Sequence, residues 1–295
     1  LQQQGSTLLI ADHAPTAILA ARTLGIPVVL SATGFDNPPR YDLSTDPITQ
    51  QPVERTVTDN INKVLESYSC PAIDTFTDLY NVEGPGMLTC RDLDHYGDVR
   101  TDGLYWGTPC YPSIPAIAAN WPNVSGPKAF VYFDRVNQDA LSVIHQLEVL
   151  AIPSIVHNPS LSNDRVVEFN KSITVLVTNT PVDLAQMQKE ATIAITFGGA
   201  GLQSAFLHTG KPVLLFPQQP EQRMASKRVV DMGAGIALDG RITKTDISAS
   251  IGPSIERLIS DKSYTEAAKA FAIRNAQYTH EHAIENIANV IRSLC

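Results

Sequence analysis

The stretch from Ile193 to Leu238 reads IAITFGGAGLQSAFLHTGKPVLLFPQQPEQRMASKRVVDMGAGIAL, and it decides how the rest of the chain is read. The apolar run Ile193-Ala194-Ile195-Thr196 has the pattern of a buried parallel strand. It stops at Phe197-Gly198-Gly199-Ala200-Gly201. A helical pattern follows, with Leu202, Ala205, Phe206 and His208 before Gly210. Pro212-Val213-Leu214-Leu215-Phe216 reads as a second strand, closed by Pro217. A second helix is predicted from about Glu221 to Met232, ending at Gly233. The order is therefore strand, glycine turn, helix, strand, loop, helix, as in a parallel α/β sheet.

A glycine turn between a strand and a helix has two physical readings. It lets backbone N–H groups face an anion at the helix N-terminus, with no side chain to keep a phosphate away. It also occurs for packing reasons alone, so the glycines by themselves leave both open. The whole stretch is more specific. It resembles the donor-site signature of family 1 nucleotide-sugar glycosyltransferases of the GT-B fold, above all the bacterial macrolide-glycosyltransferase-like members. That signature runs H-G-G-x-G-T-x-x-E-A-L-x-x-G-x-P, then P-x-x-x-D/E-Q-x-x-N-A, then G-x-G. Gly198, Gly199, Gly201, Leu207, Gly210, Pro212, Pro217, Glu221, Gln222, Gly233 and Gly235 match it in order and spacing. Several positions depart from it. Phe197 stands where the family has a diphosphate-binding His, Leu202 replaces Thr or Ser, Ala205 replaces a ribose-binding Glu, and Ala225 replaces Asn.

The bulk numbers fit this resemblance. A chain of 295 residues, 43% apolar and 18% charged, is long enough for two medium domains with sizeable cores. A net charge of −8 and a pI near 5.3 argue against nonspecific binding to nucleic acid or an anionic membrane. No apolar run approaches the ~20 residues of a membrane helix, which leaves room for a peripheral membrane contact. Cys70, Cys90, Cys110 and Cys295 lack C-x-x-C spacing, which argues against zinc and for reduced thiols in a cytoplasmic protein.

Along the chain, Thr7 to Ala11 reads as a strand, Pro15 opens a helix with Ala17, Ile18, Ala21 and Leu24 as its apolar stripe, and Ile26 to Leu30 is the next strand. Ser31 to Gln51 reads as a long loop lining the acceptor side. Helices are predicted at Thr56–Tyr68 and near Ile73–Tyr80, and a short strand at Met87–Cys90. From Lys128 onward, strands at Ala129–Phe133, Pro153–His157, Ile173–Val177, Ala191–Thr196, Val213–Phe216 and Ile236–Leu238 alternate with helices. The tail from Thr245 to Leu294 is helical by periodicity. The fold expected is α/β and GT-B-like, with two Rossmann-like domains of which the N-terminal one is incomplete. Residues 1–107 are the partial acceptor-side domain and 108–126 the linker. Residues 127–280 are the nucleotide-sugar-binding domain, and 281–295 a last helix that the resemblance returns to the first domain. The family's opening motif, a Gly-rich turn with a catalytic His, has no match, and the chain lacks an initiator Met. Both features lead us to expect a fragment missing two to three βα units.

The candidate site residues follow from these placements. Asp12 ends a strand, and by the resemblance it matches the Asp that orients the catalytic His, here a His not present in the chain; its chemistry also suits a cap on the helix at Pro15. The neighbouring His13 reads as a loop histidine. In the resemblance, Glu221 and Gln222 hydrogen-bond the donor sugar; an acidic start to a helix is the plainer reading of Glu221. Arg135 and Asn137 follow the first strand of the second domain, on the turn that faces the diphosphate in the family, where Arg135 could offset the missing His. Thr180 lies on the loop that contacts the base. The donor-binding set is thus Arg135, Thr180, Phe197, Gly198, Gly199, Gly201, Leu202, Glu221 and Gln222, with no metal, and Phe197→His is expected to tighten donor binding.

The resemblance implies an inverting, metal-independent transfer from a UDP- or dTDP-sugar co-substrate, with no other cofactor, to a hydroxyl of a small-molecule or lipid acceptor. Two alternatives stand beside it. One is a nucleotide-sugar epimerase, which needs paired acids near the sugar. The other is a protein of the same fold that binds a nucleotide sugar without turnover, which Phe197, Ala205 and the missing front favour.

Overall fold

A computed structural model describes residues 1–39, 51–101, 103–108, 116–240 and 247–295, with no side-chain description at 51–53. Most of the Ser31–Gln51 loop, part of the 108–126 linker and Cys110 lie outside the described residues. The chain divides into two compact units, Leu1–Pro109 with Gln277–Cys295, and Cys110–Ala276.

In the first unit, β1 (Leu9–Ala11) and β2 (Val28–Leu30) pair in parallel, with Leu9 opposite Val28 and Ala11 opposite Leu30. The helix α1 (Pro15–Thr23) crosses between them and buries Ile18 and Ala21. Pro15 suits the start because the first helical N–H needs no partner. The end is fixed by Gly25 at φ 64, a left-handed conformation that costs glycine little. There Gly25 N donates to Arg22 O and Ile26 N donates to Ala21 O. The helix α2 (Gln51–Ser67) sends Ile61 and Leu65 into the same core, with Ile73 and Leu79.

Two expectations are corrected in this unit. The helix placed near Ile73–Tyr80 is a short 3-10 helix, Phe76–Tyr80. Its start is delayed because Asn62 grips the main chain of Ile73 on both sides, at 2.9 and 2.8 Å, and because Thr75 and Asp78 form a capping box. The strand placed at Met87–Cys90 is reduced to a single bridge between Met87 and Tyr105.

The second unit holds a six-stranded, all-parallel sheet. Its strands are β3 (Ala129–Tyr132), β4 (Ser154–His157), β5 (Val175–Thr178), β6 (Ile193–Thr196), β7 (Val213–Leu215) and β8 (Gly235–Ala237). All six predicted strands are present, with ends shifted by one or two residues. The helices between them are α3 (Gln138–Val149), α4 (Asn163–Phe169), α5 (Leu184–Glu190), α6 (Ala200–Leu207) and α7 (Pro220–Asp231). The tail is α8 (Ile247–Ser260) and α9 (Lys262–Arg274), followed by α10 (His280–Leu294) in the first unit. The short α4 is one of the helices expected between the strands, and none of its residues is buried.

The four inner strands, β3, β4, β6 and β7, are buried on both faces, which is why their sequences run apolar instead of alternating. One face packs Ala129, Val131, Ile193, Ile195 and Leu214 against Val143, Leu147, Ile251 and Ile255. On β3, Phe130 stacks on Phe206 of α6 with ring centroids 5.6 Å apart. Each fully buried aromatic or aliphatic side chain of this kind contributes ~1.5–3 kcal/mol. The strand order is β5-β4-β3-β6-β7-β8. It reverses direction between β3 and β6, and a parallel sheet of this order opens a crevice at the carboxyl ends of those two strands.

Candidate functional site

The turn that opens α6 lies at that switch point. Tyr132, the last residue of β3, is paired with Thr196, the last of β6. Both strands therefore release their loops side by side. The loop after β3 carries Asp134, Arg135 and Asn137; the loop after β6 is Phe197-Gly198-Gly199. Gly199 is the N-cap of α6, and no side chain caps the helix. A Cβ built on Gly199 would meet nothing within 4 Å, so the helix N-terminus is open at this point. Its unpaired N–H groups and the positive end of the helix dipole suit an anion.

Gly198 is required for a different reason. Its φ is 87, and a Cβ there would stand 2.7 Å from Ser226 Oγ on α7. Ser226 is 1% exposed, and its Oγ has no hydrogen-bond partner among the described residues. A buried hydroxyl without a partner is costly, and here it points at the turn. Gly201 and Leu202 form the first turn of α6, where they are half-buried.

Phe197 does not present its ring to the turn's open side. It is 4% exposed and belongs to the sheet's core, 4.4 Å between centroids from Phe133. What it can offer a ligand is main chain, so the sequence expectation of a side chain standing at the phosphate position is corrected. The Arg135 guanidinium lies 5.7 Å from the Phe197 ring centroid, within cation–π range. It also donates to Asp134 at 3.1 and 3.3 Å. Hydrogen bonding to Asp134, and then its charge, push the Arg135 pKa further up, which keeps the guanidinium charged. Asn137 is a structural residue, because its Oδ1 caps α3 by accepting from Ala140 N at 2.9 Å.

Glu221 sits in the first turn of α7, where the helix dipole favours a carboxylate. Gln222 turns back, and its Oε1 accepts from Gln218 N at 2.8 Å. Gln218 in turn donates to Asp139 Oδ2 at 3.1 Å and to Phe216 O at 3.0 Å, tying the β7–α7 loop to α3. Thr180 lies past the end of β5, where its N–H donates to Thr178 Oγ1 at 3.0 Å. The rim from β5 to β6 runs through Thr178, His157, Tyr132 and Thr196. It spans three strand spacings of ~4.8 Å, so the Thr180 loop and the glycine turn are roughly 14 Å apart along one edge.

His157 on this rim was not singled out from the sequence. Its ring lies 5.5 Å from that of Tyr132, and its Nδ1 is 3.3 Å from Thr178 O. Burial pushes its pKa down, against a smaller upward effect of the Thr178 carbonyl. Ser226 was also missed; the sequence gives no sign that a serine two turns into α7 reaches back to a glycine before α6.

In the first unit, Asp12 is exposed and does not cap α1, whose N-cap is Ala14 without a side-chain bond. The capping alternative for Asp12 is therefore corrected. His13, set aside as a loop histidine, is the residue with a partner: its Nδ1 is paired with Asp36 Oδ1. No group of three or more His, Cys, Asp or Glu side chains among the described residues is placed to hold a metal ion. No helix among them is long and apolar enough to cross a membrane.

Comparison with known proteins bears on the fold. Residues 154–289 match the family model "Erythromycin biosynthesis protein CIII-like, C-terminal domain". A sterol 3-beta-glucosyltransferase of Vanderwaltozyma polyspora is 33% identical over 100 residues, which are 34% of this chain and 8% of that protein's length. Among solved structures, the glycotransferase of kitacinnamycin superposes with a TM-score of 0.75 at 18% identity, over 99% of this chain and 77% of that one. The spinosyn rhamnosyltransferase SpnG complexed with thymidine diphosphate gives a TM-score of 0.66 at 16% identity, over 99% and 74%. Residues 154–289 are thus similar to the erythromycin biosynthesis protein CIII-like C-terminal domain, in a chain with the GT-B fold of the glycosyltransferase structures it superposes on.

Proposed function

We propose that this chain is a glycosyltransferase that moves a sugar from a UDP- or dTDP-linked donor to a hydroxyl of a small-molecule or lipid acceptor. One observation carries the reading. An uncapped helix N-terminus, opened by Gly198 and Gly199, lies at the switch point of a parallel sheet beside an unpartnered buried hydroxyl, Ser226. The solved structure of the same fold in complex with thymidine diphosphate supports a nucleotide diphosphate as the anion, and the sterol glucosyltransferase supports an apolar acceptor.

In this reading the acceptor oxygen attacks the anomeric carbon from the face opposite the leaving group, so configuration inverts. The C–O bond to the diphosphate breaks, and its negative charge grows at the N-terminus of α6. Fixed N–H groups there stabilise the departing charge more than the ground state, which is what lowers the barrier. Glu221 and Gln222 hold the sugar hydroxyls, Thr180 and its loop contact the base, and Asp12 orients a general base on the acceptor side. The reading includes turnover without a divalent cation and a cytoplasmic location.

The test is product analysis with a panel of UDP- and dTDP-sugars and hydroxylated acceptors, with and without EDTA. Transfer that survives EDTA and inverts the anomeric centre is the expected result. One observation favours a second reading, binding without turnover. Ala205 stands where the family has a ribose-binding Glu, and it is buried, with its carbonyl accepting from Gln188 Nε2 at 2.6 Å. Tight donor binding with no transfer would select that reading.

A further inference from the structure

We propose that residues 117–121 are a strap along α5 that holds the loop 178–183 in shape for the nucleotide's base, with Gln186 as the positioning residue; this rests on the donor reading above. The inference starts from a regular set of contacts within the second unit. Every second residue of the strap has a partner on α5 or just before it. Ile117 N donates to Pro181 O and Ile117 O accepts from Asp183 N, both at 3.0 Å, which bridges Ile117 to Val182. Ala119 is bound on both sides by one side chain. Its N–H donates to Gln186 Oε1 at 3.1 Å, and its carbonyl accepts from Gln186 Nε2 at 3.0 Å. Trp121 Nε1 donates to Glu190 Oε2 at 2.6 Å, and Gln186 Nε2 donates to the same oxygen at 3.2 Å. Lys128 Nζ lies 5.0 Å from the centroid of the Trp121 ring, within cation–π range. Two residues of extended chain advance ~6.6 Å and four of a helix ~6.0 Å. Contacts at 119 and 121 therefore keep step with 186 and 190.

The strap reaches the loop where its other fixings stop. At the start of the loop, Thr178 Oγ1 accepts from Thr180 N at 3.0 Å and donates to Thr180 O at 3.2 Å. Asn179 Nδ2 donates to Leu161 O at 3.0 Å and to Asn163 Oδ1 at 2.9 Å. At its end, Asp183 caps α5 by accepting from Ala185 N and Gln186 N. Between these ends, Pro181 and Val182 are held by Ile117. A bridge of one residue pair has no ladder on either side, so it depends on what anchors the strap. Gln186 is that anchor, because it satisfies both main-chain groups of Ala119, a residue only 6% exposed. Without it, two main-chain groups of a buried residue lose their partners. A loop fixed before the ligand arrives loses less freedom on binding. The strap should therefore act on affinity that depends on the nucleoside and not on affinity for phosphates alone.

The test compares the full chain with Gln186→Ala, in which alanine keeps the helix propensity of α5. Should that variant not fold, Gln186→Met keeps the bulk without the hydrogen bonds and carries the same expectations. The first readout is amide hydrogen exchange. The variant should exchange ~10-fold faster or more at Ile117, Ala119 and Asp183, with β3 unchanged. Faster exchange at Ala119 with none at Asp183 overturns the hold of the strap on the loop. The second readout is calorimetric titration with thymidine diphosphate and, separately, with inorganic pyrophosphate. The variant should bind thymidine diphosphate ~10-fold more weakly and pyrophosphate within about twofold of wild type. Equal losses for the two would mark a general loosening of the unit, and no loss for either would make Gln186 a packing contact; each overturns the positioning role. A wild type that binds neither anion overturns the donor reading instead, and exchange at Asp183 still decides whether the strap holds the loop.

Discussion

The hydroxyl of Ser226 occupies the space that a side chain on Gly198 would need, at 2.7 Å from an ideal Cβ. Gly198 lies on the turn before α6 and Ser226 two turns into α7, and their close approach leaves no room for a side chain at residue 198. Gly198→Ala should strain a backbone at φ 87 and crowd that hydroxyl, costing ~1–3 kcal/mol of stability. Ser226→Ala should behave oppositely. It removes a buried hydroxyl without a partner, so stability should hold or rise by up to ~1 kcal/mol. If the hydroxyl donates to the diphosphate, the same variant should bind thymidine diphosphate ~10-fold more weakly or worse. Chemical denaturation and calorimetric titration of both variants check this.

Phe197→His separates core from ligand. With its ring 4.4 Å from Phe133, the residue is a packing element. Phe197→Ala should cost ~3–5 kcal/mol. Phe197→His should also destabilise, because a polar ring replaces an apolar one in the core, and thymidine diphosphate affinity should not improve. A His variant that binds more tightly at unchanged stability would return residue 197 to the phosphate.

Glu221 tests the sugar contact. Glu221→Gln keeps size and removes charge, so a carboxylate that grips sugar hydroxyls should lose a charge-assisted bond worth ~1.5–3 kcal/mol. The loss should appear in kcat/KM with the whole donor, while affinity for thymidine diphosphate, which lacks the transferred sugar, should not change. Equal losses in both would make Glu221 a general helix-start residue.

Two histidines set a pH window. Burial pushes the pKa values of His157 and His208 down, so the folded state disfavours their charged forms. The unfolded chain protonates near the ordinary value of ~6.5 and gains stability as it does. The folded state's advantage is therefore complete above ~6.5 and declines as pH falls below it. Urea denaturation should show lower stability at pH 5.5 than at 7.5, with a shallower slope in His157→Gln. A rise in stability on acidification would contradict the direction of both shifts.

How much of this was readable from the sequence depends on the kind of interaction. The strands of the second unit were readable because each is an apolar run bounded by Gly or Pro, and burial on both faces leaves little choice of period. Gly198 to Gln222 kept their spacing, so the turn, α6 and α7 were placed. The first unit was harder. A helix pattern at Ile73–Tyr80 lost to two local competitors, the Asn62 clamp and the Thr75 capping box, which act through side-chain hydrogen bonds that periodicity does not register. The ring of Phe197 was misplaced because a motif position names the residue but not which way its side chain turns. His13 was set aside because its partner, Asp36, lies beyond a helix and a strand, in a turn whose shape no spacing rule gives.

The central claim is that the N-terminus of α6 binds the donor's diphosphate, and Gly199→Asp tests it most directly. A Cβ at Gly199 meets nothing within 4 Å, and the residue's φ of −61 and ψ of 136 suit any side chain. Asp is among the best N-caps, and its charge complements the helix dipole, so thermal stability should hold or rise. The same carboxylate would occupy the anion's place and repel it. Calorimetric titration with thymidine diphosphate should show binding to the wild type and a loss of ~100-fold or more in Gly199→Asp at unchanged melting temperature. Equal affinity in the two proteins, or no binding to the wild type, would contradict the account.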